Sequence, residues 1–181
     1  MTDDVTTATS ALVAASAGAP SSTVGLVDDA HAGELLTLRR AAFVTEAQRF
    51  NDPHIAPLTQ TLPELREDIA REDIVTLGAW WGSRLVGSVR IEIDGNKATL
   101  GRLVVAPDLQ GQGIGTSLIF ALVPYLPGSV EEVWVATGSD APENLAFYAD
   151  QGFEEQDAHA QDDLTSTYLR RVLREVAAQN G

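Results

Sequence analysis

One stretch of this chain limits its folding options more than any other: Leu103-Val-Val-Ala-Pro-Asp-Leu-Gln-Gly-Gln-Gly-Ile-Gly115-Thr-Ser-Leu. A β-branched apolar run ends at a proline, passes three glycines in five residues and continues directly into a helical pattern. A strand-loop-helix turn of this kind aims several backbone N–H groups and the positive end of a helix at one place, which suits a phosphate. Side chains there would hold the phosphate away from the backbone, which is why such loops use glycine. Three phosphate loops differ in register. A P-loop requires Gly-x4-Gly-Lys-Ser/Thr, and no Lys follows these glycines. The dinucleotide fingerprint requires Gly-x-Gly-x-x-Gly, whereas Gly111-x-Gly113 is followed by Gly115 and then Thr116. The pattern Gln/Arg-x-x-Gly-x-Gly after a strand fits Gln110-Gly111-Gln112-Gly113-Ile114-Gly115 without adjustment.

The rest of the chain organises around that turn. Residues 24–27 read as a short strand and 31–50 as a helix with Leu35, Leu38 and Ala42 on one face. Two prolines make 51–57 a loop, and Thr61 with Glu64 is spaced as a capping box for a helix reaching about residue 71. The period then changes. Strands at 74–81 and 84–94 are joined by Gly82-Ser83, and a third follows at 98–106. A helix at 112–123, a strand at 133–137, a helix at 142–151 stopped by Gly152, and closing strands at 153–158 and 164–173 complete the order. This predicts an α/β (α+β) domain with one mixed sheet and helices on both faces. Residues 1–22 are expected to be a disordered Ser/Thr/Ala tail, 23–175 the domain, and 176–181 a short tail. Asp3 and Asp4, with no basic residue before the small apolar stretch, argue against a signal peptide.

Charge and composition exclude several functions. Twelve basic residues against 26 acidic give a net charge of −14, which leaves no footprint for nucleic acid. Cysteine is absent, so a disulfide, a thiolate nucleophile and a Cys-ligated metal are excluded, and no metal is expected. No apolar run approaches the ~20 residues of a membrane span. A cytoplasmic location is expected, with no membrane partner. Arg outnumbers Lys by 11 to one, which with abundant Ala points to a GC-rich bacterial genome.

With the glycine loop in place, the chain resembles the GNAT acyltransferase superfamily over roughly residues 24–175. The resemblance rests on Leu103-x-Val-x-Pro-x-x-Gln-Gly-x-Gly-Ile-Gly, followed about 30 residues later by Asn144-x-x-x-Tyr148 and Gly152-Phe153. It implies a single GNAT-like domain: a central, mostly antiparallel sheet of six to seven strands with about four helices. The sheet would be splayed at the cofactor site between strands 98–106 and 133–137. It also implies acetyl-CoA (coenzyme A) as co-substrate. The pyrophosphate would lie on the loop at Gln110, Gly111, Gln112, Gly113, Ile114, Gly115 and Thr116, and the pantetheine arm along Leu103, Val104 and Val105. A backbone N–H near Val104 or Val105 is the implied oxyanion donor, with Val105 assigned the catalytic role. Tyr148 is the implied general acid on the leaving thiolate, and Asn144 the residue that bonds the cofactor arm or orients the site. The two are four apart on a helix and share a face. From 103 to 169 there is no Lys or Arg and there are 11 acidic residues, so backbone dipoles must hold the phosphates unless Arg39, Arg40, Arg90 or Arg102 folds nearby.

The same resemblance leaves the base open. Relatives often carry Glu where this chain has Gly101, so Glu46 and Glu92 become the candidates. The acceptor pocket is expected from 42–57, with Glu46, Asn51 and His54 polar there. The implied reaction is direct transfer to a primary amine of a small-molecule or amino-acid-like acceptor. Without Cys, a ping-pong route through that residue is excluded. Two other readings stand beside it: a non-catalytic acyl-CoA-binding module, and a protein N-terminal or lysine acetyltransferase. A homodimer is a common family arrangement and enters by analogy alone.

Overall fold

The computed structural model describes residues 22–156 and 166–173. The tails expected at 1–22 and 176–181 lie outside the described residues, Ser22 excepted, as does the acidic stretch beyond residue 156. The elements run β1 (Thr23–Leu26), α1 (Ala32–Phe50), α2 (Ala56–Thr59), α3 (Leu62–Ala70), β2 (Ile74–Trp81), β3 (Arg84–Asp94) and β4 (Lys97–Val105). They continue with α4 (Ile114–Ala121), β5 (Glu132–Gly138), α5 (Pro142–Asp150), β6 (Glu154–Glu155) and β7 (Ser166–Val172). The strands form one sheet in the order β1-β2-β3-β4-β5-β7-β6. Every described pairing is antiparallel except β4 with β5.

Local chemistry accounts for most boundaries. The Thr61 and Glu64 side chains cap each other's backbone at the start of α3. Asn51, in the left-handed region at φ 49°, ends α1. Pro124 cannot donate to a helical carbonyl, so the helix expected to run to residue 123 stops at Ala121 and gives way to a 3₁₀ turn. The expected loop at 51–57 runs into the one-turn helix α2, so there are five helices where about four were expected. The strand expected at 153–158 shrinks to Glu154–Glu155 within the described residues.

The core lies between sheet and helices. Leu35 and Leu38 of α1, Leu65 of α3 and Leu118 and Ile119 of α4 are buried against Leu77, Val89, Ile91 and Val133 of the sheet. Gly87 seats α4, because a Cβ there would sit 2.7 Å from Ile114 Cγ2 and 3.2 Å from the Val104 carbonyl oxygen. Gly87 and Arg90 are three apart on β3 and point to opposite faces. Arg90 reaches Asp68 of α3 at 2.9 Å, so helices flank the sheet on both sides.

Two features of β4 open the sheet. Its ladder with β5 covers four pairs, Lys97↔Glu132 to Leu100↔Val135, although β4 continues to Val105 and β5 to Gly138. On its other edge the register shifts between Ser88↔Val104 and Arg90↔Gly101, so Arg102 and Leu103 share one place opposite Val89. Arg102 occupies this bulge at φ 50°. Beyond the bulge β4 turns away from β5, giving the splay that the resemblance implied.

Candidate functional site

The split edges of β4 and β5 open into a cleft of about 790 Å³. Its walls are the second half of α1, the β4 bulge, the end of β5 with the loop into α5, and the inner face of α5. β5 ends at this cleft, and the loop beyond its carboxyl end supplies Ser139, Asp140 and Ala141 to the lining.

Tyr148 lines the cleft with 8% of its surface exposed, wedged between the rings of Phe147 and Phe153 at 5.1 and 5.6 Å. Burial pushes its phenol up to about 12, so it carries its proton throughout the physiological range and acts as a donor. Asn144, one turn earlier, also lines the cleft and donates from Nδ2 to Thr137 Oγ1 at 3.2 Å, tying α5 to β5. The backbone of β4 supplies a further donor. The Ala106 N–H points to the Val86 carbonyl on β3. Amides alternate sides along a strand, so the Val105 N–H points the opposite way, toward the split. Leu103 lines the cleft directly.

From α1 come Glu46 and Arg49, three residues apart on one face. Glu46 is exposed, and partial desolvation at the cleft wall raises its carboxyl above the ordinary value, opposed by the nearby Arg49 guanidinium. Arg49 crosses the cleft to Asp140 at 3.2 Å and Glu143 at 3.4 Å, and donates to the Asp140 carbonyl. Position 46 alone among the expected acceptor residues lines the cleft. Asn51 is spent on ending α1, and His54 is exposed with its backbone N–H bonded to the Asp52 carboxylate at 2.8 Å. Glu92 is held by Arg90 at 2.9 Å and Arg71 at 3.4 Å, and it is not among the lining residues. Both paired arginines lie on the side of the sheet that carries Asp68, and this draws Glu92 away.

The glycine loop runs from β4 to α4. Gly111 and Gly113 have φ of 75° and 79°, and a Cβ on either would meet no atom within 4 Å. The loop therefore presents bare backbone, and no side chain caps the α4 N-terminus. Gln110, Gly111, Gln112 and Gly113 form the loop, while Ile114, Gly115 and Thr116 open α4. This cradle fits the phosphates of a coenzyme A molecule, and the split beside Val105 fits an extended arm. None of the four arginines named as possible phosphate partners turns to the loop. Arg39 and Arg102 bond the Gln60 side chain, Arg40 the Gln60 carbonyl, and Arg90 the carboxylates of Asp68 and Glu92. Arg84 is held by Asp108 at 2.8 Å at the root of the loop. Backbone dipoles are thus what the loop offers an anion.

Arg49 was missed at the sequence level. Its spacing from Glu46 on a helix face was the available signal. The Ser139–Asp140 loop was signalled by its place after a strand beside the split. Among the described residues, no group of three His, Cys, Asp or Glu side chains is placed to hold a metal ion, and no helix is long and apolar enough to cross a membrane.

Residues 41–153 match the sequence model described as the acetyltransferase (GNAT) family. Among solved structures, the chain is similar to the PaiA N-acetyltransferase from Thermoplasma acidophilum in complex with coenzyme A, with a TM-score of 0.73 at 20% identity over 84% of this chain and 99% of that one. It is also similar to the ribosomal-protein-S18-alanine N-acetyltransferase from Escherichia coli, with a TM-score of 0.67 at 15% identity over 88% and 99%. The GNAT domain of S. lividans PAT gives 0.68 at 16% identity over 84% and 90%. No curated protein sequence matches the chain.

Proposed function

The chain belongs to the acetyltransferase (GNAT) family, and on that premise we propose that it transfers an acetyl group from acetyl-CoA directly to a primary amine of a small or amino-acid-like acceptor. The observation that carries this reading is the convergence of Glu46, Tyr148 and the open edge of β4 on one cleft. Acetyl-CoA supplies an activated thioester. The bare amides of Gly111 to Thr116 hold its phosphates, and Leu103 to Val105 hold its arm along the split.

The protein's own groups then have separate tasks. Glu46 takes a proton from the acceptor ammonium and frees the nitrogen lone pair. The Val105 N–H stabilises negative charge developing on the carbonyl oxygen as the C–N bond forms. Tyr148 gives its proton to the sulfur as the C–S bond breaks, and regains one from solvent. The second nitrogen proton and the one on Glu46 leave to water, so the sum is amide, free thiol and one proton. Asn144 holds α5 in register with β5 and fixes where the phenol points. The Arg49 bridge spans the cleft from α1 to α5, which favours a small acceptor over a peptide threaded between them.

Acetyl-CoA and CoA are expected to raise the melting temperature, with NAD and ATP giving no shift. Thiol release with amines, amino acids and peptides then identifies the acceptor. Thermal shifts with NAD or ATP alone would overturn the assignment. Cofactor binding with no thiol release from any amine would point to a non-catalytic binding module, and turnover of peptides alone to a protein acetyltransferase.

A further inference from the structure

One buried cluster beside the cleft is not used by the mechanism. Arg39 on α1 is fully buried, and its Nε and Nη2 have no partner among the described residues. Its Nη1 donates to Gln60 Oε1 at 3.3 Å. Arg102 donates to that same oxygen. Two guanidinium groups therefore share one neutral amide oxygen. The carboxylates that could balance them are engaged elsewhere. Asp68 has both oxygens on Arg90, at 2.9 and 3.0 Å, and Glu92 is bonded by Arg90 and Arg71. In a chain with 26 acidic and 12 basic residues, a cationic pair beside a cleft that no carboxylate hydrogen-bonds, Asp68 attracting it only at longer range, is not a by-product of composition.

Arg102 carries this charge to the cleft. It lines the wall, and its backbone sits at φ 50°, in the left-handed region that non-glycine residues rarely adopt. The bulge that imposes it also breaks the β4 ladder at the mouth of the split. Of the charged side chains lining the cleft, Arg49 and Asp140 are bonded to each other. Glu46 and Arg102 face it without a described partner of opposite charge in hydrogen-bond contact. One free anion and one free cation complement a molecule that carries both charges.

We infer that the acceptor bears a carboxylate or comparable anionic group, and that Arg102, backed by the buried Arg39, is the residue that selects it. The acceptor's ammonium faces Glu46 and its anion faces Arg102. The site of the anion is distinct from the phosphate cradle. Arg102 lies three residues before the end of β4, about 10 Å along the strand at ~3.3 Å per residue, and the glycine loop begins only beyond that. This inference rests on the proposed amine acetyltransferase reading and names the acceptor class for it.

The test uses matched acceptors: free L-amino acids against the same amino acids as carboxamides, at equal concentration, with acetyl-CoA and thiol release as readout. A charge-assisted hydrogen bond to the anion predicts a preference in kcat/KM for the acids of about 10- to 100-fold. Arg102→Gln keeps a polar, unbranched side chain at the bulge but loses the charge. It is expected to bring the ratio to within about threefold of one, mainly through KM for the acids. Arg102→Lys should retain part of the preference. Melting curves and CoA calorimetry on each variant show whether fold and cofactor binding are intact. If Arg102→Gln does not fold, the acid-to-amide ratio of the unaltered protein still decides. Equal or better turnover of the carboxamides overturns this inference and leaves amine acetylation standing. No transfer to any amine overturns both.

Discussion

Replacing Arg39 by Met should make the folded protein more stable, against the usual direction of a core substitution. The side chain is fully buried, so its unpaired Nε and Nη2 are two donors removed from water without compensation. Each costs about 1–3 kcal/mol. Burial, with Arg102 and Arg90 adding repulsion against an attraction from Asp68, lowers its pKa from 12.5 to about 10. A cation whose folded pKa lies below its unfolded value is destabilised at every pH below the folded value, neutral pH included. Met replaces the aliphatic stem, has no donors and packs flexibly. The loss is one long bond to Gln60, about 1.5 kcal/mol for a charged donor, while Arg102 continues to bond that oxygen. Taking the lower end for both orphaned nitrogens, about 2 kcal/mol, the balance is a gain of about 0.5 kcal/mol. That is a rise of roughly 1–2 °C in melting temperature for a chain of this size. Circular dichroism melts of the two proteins at pH 7, without ligand, read it directly. A fall of several degrees with an equally cooperative transition would refute the reasoning. It would show that the guanidinium is satisfied in the folded protein.

Tyr148→Phe removes one oxygen and keeps the ring against Phe147 and Phe153, so the melt should barely move. If the phenol protonates the thiolate, kcat should fall by about 10²-fold where chemistry limits the rate, and the loss should shrink with a more acidic leaving thiol. Wild-type kcat in that variant would return Tyr148 to packing. Glu46 has a raised pKa, so as a base it is active only above that value, and kcat/KM should fall on the acid side with a midpoint above 4.5. Glu46→Gln should lower kcat/KM and erase that limb, and persistence of the limb would assign it to another group. Gly113→Val forces a β-branched residue to φ 79° and fills the bare loop. Calorimetry should then show no CoA binding with the fold retained, and normal binding would reduce the loop to a turn.

The parts legible in sequence were those set by local rules. β-rich runs joined at Gly82-Ser83 marked β2 and β3 to the residue, and the spacing of Thr61 and Glu64 gave the start of α3. Gly152, at φ 82°, was visible as the stop after α5. Three features depend on neighbours remote in sequence and were not legible. The positive φ of Arg102 arises from two β4 residues sharing one place on β3. Glu92 is on a strand where alternation is plain, but which carboxylate meets the cleft depends on where Arg71 and Arg90 lie. The Arg49 bridge joins residues 91 and 94 positions apart. Glu46 was visible as polar on the first long helix, and its place on the cleft wall came only from the packing of that helix.

The short parallel seam between β4 and β5 also sets how the molecule comes apart. Four residue pairs hold the four-stranded plate β1–β4 to the three-stranded plate β5–β7, all at one end of the split. Such a joint is a pivot, and slight rotation about Leu100 and Val135 widens the far end without breaking either plate. A molecule lying along Val105 and touching α5 bridges the two lips and acts as a second fastener. Without it, the far end is spanned by side-chain contacts such as the Arg49 bridge, and amides along the seam are expected to exchange through partial opening. With it in place, exchange there should slow toward the rate of global unfolding, and the two plates should melt as a single unit. Ligand in this fold thus completes the mechanical continuity of the sheet.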